Sequence, residues 1–245
     1  MFLQDRWPRL LRPLFPVSSS RAPPEVPKIS LAFGTKWFHI ARMAKRTQTS
    51  PSVGRPREFE LDDAVRKAMG VFWERGYHDA SLPDLLEGMD LSRGSFYKAF
   101  VDKRGVYLSA LDVYIEDAVR TVGETLHSNP SPKGAIRAAF SQQVHFSSGK
   151  EGLRGCFVVL AAVEMLPADE EVSARISRLF RRLQDLYAAT IIRAQAAGEI
   201  DPALDERTLA RFLVCQIQGM RVLGKVGADR EETRAMIDFA LKALD

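Results

Sequence analysis

Apolar residues recur along most of the chain at steps of three and four positions, the spacing that places them on one face of a helix. The first such pattern covers about 60–75, where Leu61 and Phe72 share one face and Gly76 supplies a stop. Longer patterns follow Asp102. They predict one helix that runs to a break at about 128–132, and further helices over about 133–147, 155–166, 170–197, 205–225 and 230–244.

Glycine and proline separate these predicted helices, and no segment alternates apolar and polar residues as an exposed strand would. The breaks fall at Gly149–Gly152, Pro167, Gly198–Pro202 and Gly227. The apolar run at 156–163 also has the composition of a buried strand, but every neighbouring segment is helical, so we predict a buried helix there. The sequence therefore predicts an all-α protein.

Two short helices are predicted between the first pattern and the longer ones. Ser81 stands before an apolar segment with Pro83 in its first turn and Asp84 three positions on, which is typical of a capped helix start. This helix covers about 82–89. After a turn of three or four residues, Ser92 opens a third, shorter helix. Such a pair has the dimensions of a helix-turn-helix, whose second helix enters the major groove of DNA.

The third helix differs from its neighbours in charge. Four basic side chains and one acidic side chain lie between Ser92 and Arg104, namely Arg93, Lys98, Lys103, Arg104 and Asp102. Hydroxyl groups accompany them at Ser92, Ser95 and Tyr97. A positive, hydroxyl-rich face suits contacts to phosphates, which position a protein on DNA, and to base edges, which specify the sequence.

Composition agrees with a soluble, folded protein. The 245 residues are 46% hydrophobic and 27% charged, and no stretch approaches the roughly 18 consecutive apolar residues needed to cross a bilayer. Two cysteines, Cys156 and Cys215, lie far apart in the sequence. They favour a reducing, cytoplasmic location and are expected to be buried apolar residues.

The net charge of +4 is unevenly distributed. Residues 1–53 hold nine Lys/Arg and two acidic residues, whereas the remainder holds 26 basic and 29 acidic residues. A basic N-terminus of this kind points to a polyanionic partner. Six prolines within 1–42 interrupt any helix, so we expect a disordered basic extension over 1–53. We further expect translation to begin at Met43; the alternative is an Arg-rich transit peptide.

Residues 54–111 resemble the DNA-binding domain of TetR-type (TetR/AcrR) transcriptional regulators. The resemblance rests on the leading GRP, the pair Phe72–Trp73, the S-L-x-D-L-L helix, the SRGSFY segment, and Phe100 followed by Asp102–Lys103. The rest of the chain is similar to the family in length, helix content and the segment QGMRVLGKVGAD. The resemblance implies a DNA-binding domain over 54–112, with its helix-turn-helix at about 81–100, and a helical effector-binding and dimerisation domain over 113–245.

The resemblance also implies which side chains contact DNA. Ser81 and Tyr97 are expected to contact phosphates, and Lys103 to contact the DNA backbone from the start of helix four. Five residues are expected to face the groove: Ser92, Arg93, Gly94, Ser95 and Lys98. Four more are expected to form a flexible basic arm that reaches the minor groove or phosphates: Lys45, Arg46, Arg55 and Arg57.

Two positions depart from the family pattern. The turn position that is usually glycine is Asp90, which can adopt a left-handed conformation at some cost. Position 99, often histidine, is Ala99, so one phosphate contact is expected to be missing. Purely structural interpretations also remain open, with the two serines acting as caps alone, the phenylalanines as core and the lysines as a solvated face. Tyr97 is expected to face outward, since Phe96 and Phe100 fill the inward positions.

A short recognition helix offers little interface, so useful affinity requires two copies that read half-sites about one helical turn apart. We expect a homodimer through residues about 205–244, where two apolar stripes fit a four-helix bundle between copies. The stripes comprise Leu209, Phe212, Leu213, Gln216, Met220 and Leu223, and then Met236, Ile237, Ala240, Leu241 and Leu244. The alternative is that they close the core of the single chain.

The resemblance implies that residues 105–200 enclose a pocket for a small-molecule effector, and that the effector lowers the affinity for a palindromic operator. Repression rather than activation is likewise implied by the family alone. The sequence identifies neither the effector nor the residues that line its pocket.

Other classes of function find less support in the sequence. It contains no P-loop, dinucleotide-binding, zinc-protease, serine-hydrolase or C-x-x-C motif, and its four histidines do not cluster at metal-binding spacing. We therefore expect no enzyme, cofactor or metal site. The alternative function is a helical protein-interaction adaptor that binds DNA weakly and without sequence preference.

Overall fold

The structure is a computed structural model that describes residues 57–245, with side chains from residue 61 onward. The described residues form ten α-helices and a final 3₁₀ turn, and contain no β-strand. The helices are α1 Arg57–Arg75, α2 Leu82–Met89, α3 Arg93–Ala99, α4 Lys103–His127, α5 Pro132–Phe146, α6 Gly149–Arg154, α7 Phe157–Met165, α8 Glu170–Ala196, α9 Glu206–Lys225 and α10 Arg230–Ala240, followed by the turn Leu241–Leu244. The all-α prediction is confirmed, whereas the expectations for residues 1–53 and for Met43 lie outside the described residues.

Helix α6 contradicts one prediction, since 149–152 was expected to be a break. Gly149 and Gly155, at the two ends of this short helix, take positive φ values of 60° and 79°. Gly152 lies between them, against the backbone of Ser147, and a Cβ at this position would lie 2.8 Å from the carbonyl carbon of Ser147. These glycines therefore provide end conformations and close packing rather than a loop.

Helices α1, α2 and α3 form a three-helix head on the first half of α4. Phe72 of α1, Leu85 of α2 and Phe96 of α3 are almost fully enclosed, together with Tyr107 of α4. The rings of Phe72 and Tyr107 meet edge to face, with centroids 5.0 Å apart. Phe100 is also buried, so the predicted core role of these phenylalanines is confirmed.

Helix α8 organises the second part of the fold, packing against α4, α5, α7 and α9. Its buried face includes Leu179, Tyr187 and Ile191. Among the described helices, none combines the length and the apolar composition that a membrane crossing requires.

The stripes predicted for dimerisation divide into a buried and an exposed set. The buried set lies in the core of the chain itself: Leu209, Leu213, Met220, Ile237, Ala240, Leu241 and Leu244. For these residues the core-closing interpretation is correct, because helical periodicity identifies an apolar face without identifying what covers it. Phe212 and Leu223 instead remain 37% and 42% exposed, and Gln216 and Met236 are half-buried. Cys215 is also exposed, contrary to prediction, whereas Cys156 is buried as expected.

Two polar links attach the head to the helices behind it. The carboxylate of Glu164, near the end of α7, accepts hydrogen bonds from the backbone N–H groups of Tyr77 at 2.8 Å and of His78 at 2.7 Å. Both groups lie in the turn between α1 and α2. At the start of α4, Arg104 forms an ion pair with Asp169, the N-cap residue of α8. The orientation of the head therefore depends on contacts with both α7 and α8.

Candidate DNA-binding site

Serine caps define the start of both helices in the predicted helix-turn-helix. The hydroxyl of Ser81 accepts a hydrogen bond from the N–H of Asp84 at 3.3 Å, and the Asp84 carboxylate accepts one from the N–H of Ser81 at 2.9 Å. Ser92 caps α3 by accepting a bond from the N–H of Ser95 at 3.1 Å. These bonds pair backbone donors that a helix leaves free at its start, so the predicted caps are confirmed.

Asp90 forms the turn between α2 and α3 in a left-handed conformation, with φ of 55° and ψ of 45°. Its N–H donates to the carbonyl oxygen of Glu87 at 3.1 Å, and the N–H of Leu91 donates to that of Leu86 at 3.0 Å. These bonds close the end of α2 in the manner of a Schellman motif. Asp90, which stands where the family usually has glycine, therefore adopts the expected left-handed conformation. This conformation directs the chain into α3 within three residues.

The outer face of α3 carries most of the predicted DNA contacts. Phe96 and Phe100 hold the opposite face against the core of the head. All the residues of this segment that were predicted to contact DNA are exposed, namely Ser92, Arg93, Gly94, Ser95, Tyr97 and Lys98. Neither Arg93 nor Lys98 forms an ion pair with any other described residue. Their charges are therefore available to a polyanionic partner.

Tyr97 faces outward, as expected. Its side chain is 53% exposed, and its ring meets that of Phe96 edge to face at 5.4 Å. The hydroxyl makes no hydrogen bond to another described residue. A tyrosine hydroxyl in this position is a free donor, which is the chemistry that a phosphate oxygen requires.

Ser81 acts as the predicted helix cap, and its expected phosphate contact stays a prediction. Its hydroxyl donates to the Asp84 carboxylate at 2.6 Å, and this bond, with that from the Ser81 N–H, lowers the pKa of Asp84. A phosphate oxygen accepts hydrogen bonds and donates none, so a phosphate contact would require the hydroxyl to turn away from Asp84. The Ser81 hydroxyl is therefore oriented as a helix cap.

Lys103 lies at the junction between the head and α4. Its Nζ donates to the carbonyl oxygen of His78 at 3.2 Å and lies 4.7 Å from the centroid of the Tyr77 ring. Both contacts involve the turn after α1. The charge of Lys103 is not neutralised by a described carboxylate, so it adds to the positive potential beside α3.

Arg104 does not contribute to that potential, although the sequence count included it. Its guanidinium pairs with the carboxylates of Asp169 and Glu171, which raise the pKa of Arg104 and neutralise its charge locally. The positive charges near α3 therefore come from Arg93, Lys98 and Lys103.

The predicted basic arm lies mostly outside the described residues, namely at Lys45, Arg46 and Arg55. Arg57 is the first residue of α1. Sequence reasoning overlooked Glu164, which holds the turn of the head. The available signal was that Glu164 is the single charged residue in the apolar segment FVVLAAVEM, because a lone carboxylate at the end of such a helix needs a partner.

Two family descriptions match separate parts of the chain. Residues 64–110 match "Bacterial regulatory proteins, tetR family". Residues 132–239 match "Tetracyclin repressor-like, C-terminal domain". The first match contains the capped helices and the exposed face of α3, and the second contains α5 to α9 and most of α10.

The chain is similar to transcriptional regulators, and each similarity extends over most of this chain and most of the relative. The chain is 32% identical over 194 residues to the uncharacterized HTH-type transcriptional regulator YezE of Bacillus subtilis, covering 79% of this chain and 100% of that protein. It is 30% identical to the HTH-type transcriptional repressor ComR of Escherichia coli, over 78% of this chain and 91% of that protein.

A solved structure shows the same similarity in three dimensions. It is a cysteine mutant of the TetR family transcriptional regulator CifR, complexed with 26-base-pair double-strand operator DNA. The sequence identity is 33% and the TM-score is 0.69, with 78% of this chain and 100% of that chain covered. The relatives with these descriptions are regulators rather than enzymes.

Proposed function

Because this chain belongs to the TetR family of bacterial regulatory proteins, we propose that it is a sequence-specific DNA-binding repressor that acts as a homodimer and is released from a palindromic operator by a small-molecule effector. The observation that carries the proposal is the outer face of α3, a helix fixed by its cap and turn. There Arg93, Lys98 and the Tyr97 hydroxyl pair with no other described residue. Repression is favoured by the description of the relative ComR as a repressor.

The exposed residues of α3 have different roles in this proposal. Arg93 and Ser95 read base edges in the major groove, because guanidinium and hydroxyl groups match the donors and acceptors presented there. Tyr97 and Lys103 contact phosphates, and Lys98, on the groove-facing side of α3, contacts a phosphate at the edge of the groove. These contacts fix register and supply affinity that depends on salt. Ser92 and Gly94 lie close to the groove at the start of α3, and the basic arm extends these contacts.

The second copy docks, in this proposal, on the exposed apolar face of α9 and α10. On α9 this face repeats at three- and four-residue steps through Phe212, Cys215, Gly219 and Val222, and it continues at Val226, just after the helix. On α10 it includes Phe239, which is 73% exposed. A groove of about 710 Å³ between the two helices contains Phe212, Met236 and Phe239. An apolar face on two neighbouring helices fits its own symmetry mate as a four-helix bundle.

Fluorescence anisotropy with the full chain tests the proposal. Labelled duplexes contain either the DNA upstream of its own gene or a shuffled version, and each is titrated at several salt concentrations. We expect affinity for the natural duplex to exceed that for the shuffled one by roughly a hundredfold or more, with two protomers per site. Fragmented genomic DNA, selected for binding, extends the search to operators elsewhere.

Variants of α3 separate base reading from phosphate contact. Arg93→Ala should reduce the preference for the natural duplex, whereas Lys98→Ala should weaken binding to both duplexes and reduce the salt slope by about one per protomer. Lys150→Ala is the matched control, because Lys150 is exposed on α6 in the second part of the fold. If no duplex or genomic fragment is preferred, the adaptor interpretation replaces the proposal.

A further inference from the structure

The turn between α1 and α2, residues 76–78, is a point where three parts of the molecule meet. From α7, the Glu164 carboxylate accepts hydrogen bonds from the N–H groups of Tyr77 at 2.8 Å and of His78 at 2.7 Å. From the start of α4, the Nζ of Lys103 donates to the carbonyl oxygen of His78 at 3.2 Å. The turn leads directly into the helix-turn-helix, so its position affects the position of α3.

The Glu164 carboxylate has only backbone partners among the described residues, namely the two N–H groups of the turn. Hydrogen bonds to an ionised carboxylate are shorter and stronger than those between neutral groups. The helix that carries Glu164 is itself fixed, because its opposite side is buried through Phe157, Val158, Ala161 and Met165. Glu164 therefore attaches the turn of the head to a rigid element of the second part of the fold.

Gly76 permits the close approach of this carboxylate. Its φ is 82°, a conformation that glycine adopts at no steric cost. A Cβ at this position would lie 3.1 Å from Oε2 of Glu164 and 3.2 Å from Oε1, which is tighter than an ordinary contact. The backbone conformation and the available space both require glycine, so Gly76 and Glu164 act together.

The contact at Glu164 differs from the other connections of the head because it lies away from α4. The chain passes from the head to the second part of the fold along α4, which has 25 residues and is about 37 Å long. Long helices bend, so α4 by itself does not fix the head. The pair of Arg104 with Asp169 fixes α4 against α8, whereas Glu164 holds the turn between α1 and α2.

We infer that Glu164 is a positioning residue for operator recognition. It does not contact DNA; by holding the turn it sets the orientation of the head, and so the separation of half-sites that the dimer accepts. Two-fold symmetry repeats any displacement of the head in the second copy, so the separation of the two α3 helices changes by up to twice that displacement. The inference rests on the proposed function, because only a dimer on an operator has half-sites to separate.

Operators of different spacing test the inference in the anisotropy assay with the full chain. One base pair, inserted or deleted at the operator centre, moves a half-site by about 3.4 Å and rotates it by about 35°. We expect the natural protein to lose at least tenfold in affinity on either change. Glu164→Ala should bind the natural operator several-fold more weakly, but should differ less than threefold between the spacings. A residue needed only for stability would lower affinity at every spacing by the same factor.

Three further variants assign the contact. Glu164→Gln keeps one acceptor oxygen for the turn, so it should restore part of the spacing preference. Gly76→Ala places a methyl group against the carboxylate and should also reduce the preference, and the double variant Gly76→Ala, Glu164→Ala should lose little more than Glu164→Ala. Glu170→Ala, which removes an exposed carboxylate at the start of α8, is the matched control and should keep the full preference. Circular dichroism and light scattering verify folding and dimer mass.

A distance measurement without DNA tests the same inference independently. Spin labels on Glu87→Cys, at an exposed position of α2, report the distance between the two heads by pulsed electron paramagnetic resonance. Cys215→Ser removes the exposed native thiol. We expect a narrow distance distribution when Glu164 is present, and a distribution at least twice as wide in the Glu164→Ala background.

The outcomes are distinguishable. An unchanged spacing preference in Glu164→Ala, or a uniform loss of affinity at every spacing, overturns the inference while the proposed function stands. A natural chain that is dimeric but prefers no DNA sequence contradicts the proposed function instead. In that case a wider distance distribution in Glu164→Ala still supports the role of Glu164 in orienting the head, and an unchanged distribution overturns it.

Discussion

Asp90 shows how one residue can limit the stability of the DNA-binding head. It is the one described residue other than glycine with a positive φ, at 55°. A side chain in the left-handed region crowds its own backbone, at a cost of roughly 1–2 kcal/mol relative to right-handed conformations. The position nevertheless has to be left-handed, because the two hydrogen bonds that end α2 depend on it.

We therefore expect Asp90→Gly to raise the free energy of unfolding by about 0.5–1 kcal/mol, since glycine adopts this conformation without the steric cost. Urea denaturation of the full chain, followed by circular dichroism, measures the change. Operator affinity should be preserved or increased, because the substitution also removes a negative charge near α3. Asp90→Val is the opposite control and should destabilise the protein; a glycine variant less stable than the natural protein would contradict this explanation.

At the scale of elements, the pairing of Arg104 with Asp169 connects the start of α4 to the start of α8. Asp169 also accepts a hydrogen bond from the N–H of Val172 at 3.0 Å as the N-cap of α8. The Arg104 guanidinium, followed by this backbone N–H, lowers the pKa of Asp169 to about 2. The carboxylate is 13% exposed and the guanidinium 36% exposed, so solvent screens the pair only in part.

The depressed pKa gives a pH dependence with a definite sign. The unfolded chain protonates Asp169 at about pH 3.9, so the stability contributed by the pair is present above that pH and is lost as the pH falls toward 2. Asp169→Asn should keep the cap and reduce the free energy of unfolding by about 1–2 kcal/mol at pH 7. Denaturation at several pH values should show this difference shrinking below pH 4. Glu171→Gln, which removes the more exposed partner, is the control and should cost under about 1 kcal/mol.

At the scale of the whole molecule, the exposed apolar face of α9 and α10 is the surface that we propose as the dimer interface. Val222 is 52% exposed and Val226 is 82% exposed, beside Phe239 of α10. A continuous apolar face of this kind is unfavourable in water unless another surface covers it. In the proposed function the covering surface belongs to a second copy, because operator binding at two half-sites needs two copies.

Phe239→Glu should therefore produce a monomer, because the charge would lose its hydration inside the interface. Light scattering coupled to size exclusion gives the mass, and anisotropy should show operator affinity at least tenfold lower. Val163→Glu is the matched control, since Val163 is 82% exposed on α7, outside the proposed face. A Phe239→Glu protein that remains dimeric and binds the operator normally would place the interface elsewhere.

Helix spacing and the cap residues Ser81 and Ser92 predicted α2 and α3, and the inward phenylalanines predicted which side of α3 is exposed. The glycines around α6 led to the wrong prediction of a break, because the sequence does not distinguish a glycine at a close backbone contact from a glycine in a loop. The charge of Arg104 was wrongly counted toward the positive surface of α3. Its partner Asp169 lies 65 positions away, so the sequence near Arg104 does not show that the charge is neutralised.

The sequence alone determined the all-α fold, the short helix pair and the residues that face outward from α3, because each depends on side chains within a few positions of one another. Tertiary structure decided which apolar stripe of α9 and α10 is buried, and how Glu164 holds a turn 87 positions earlier at Tyr77. These features depend on residues brought together from distant segments. Helical periodicity records that a face is apolar, but only the packed molecule determines what that face contacts.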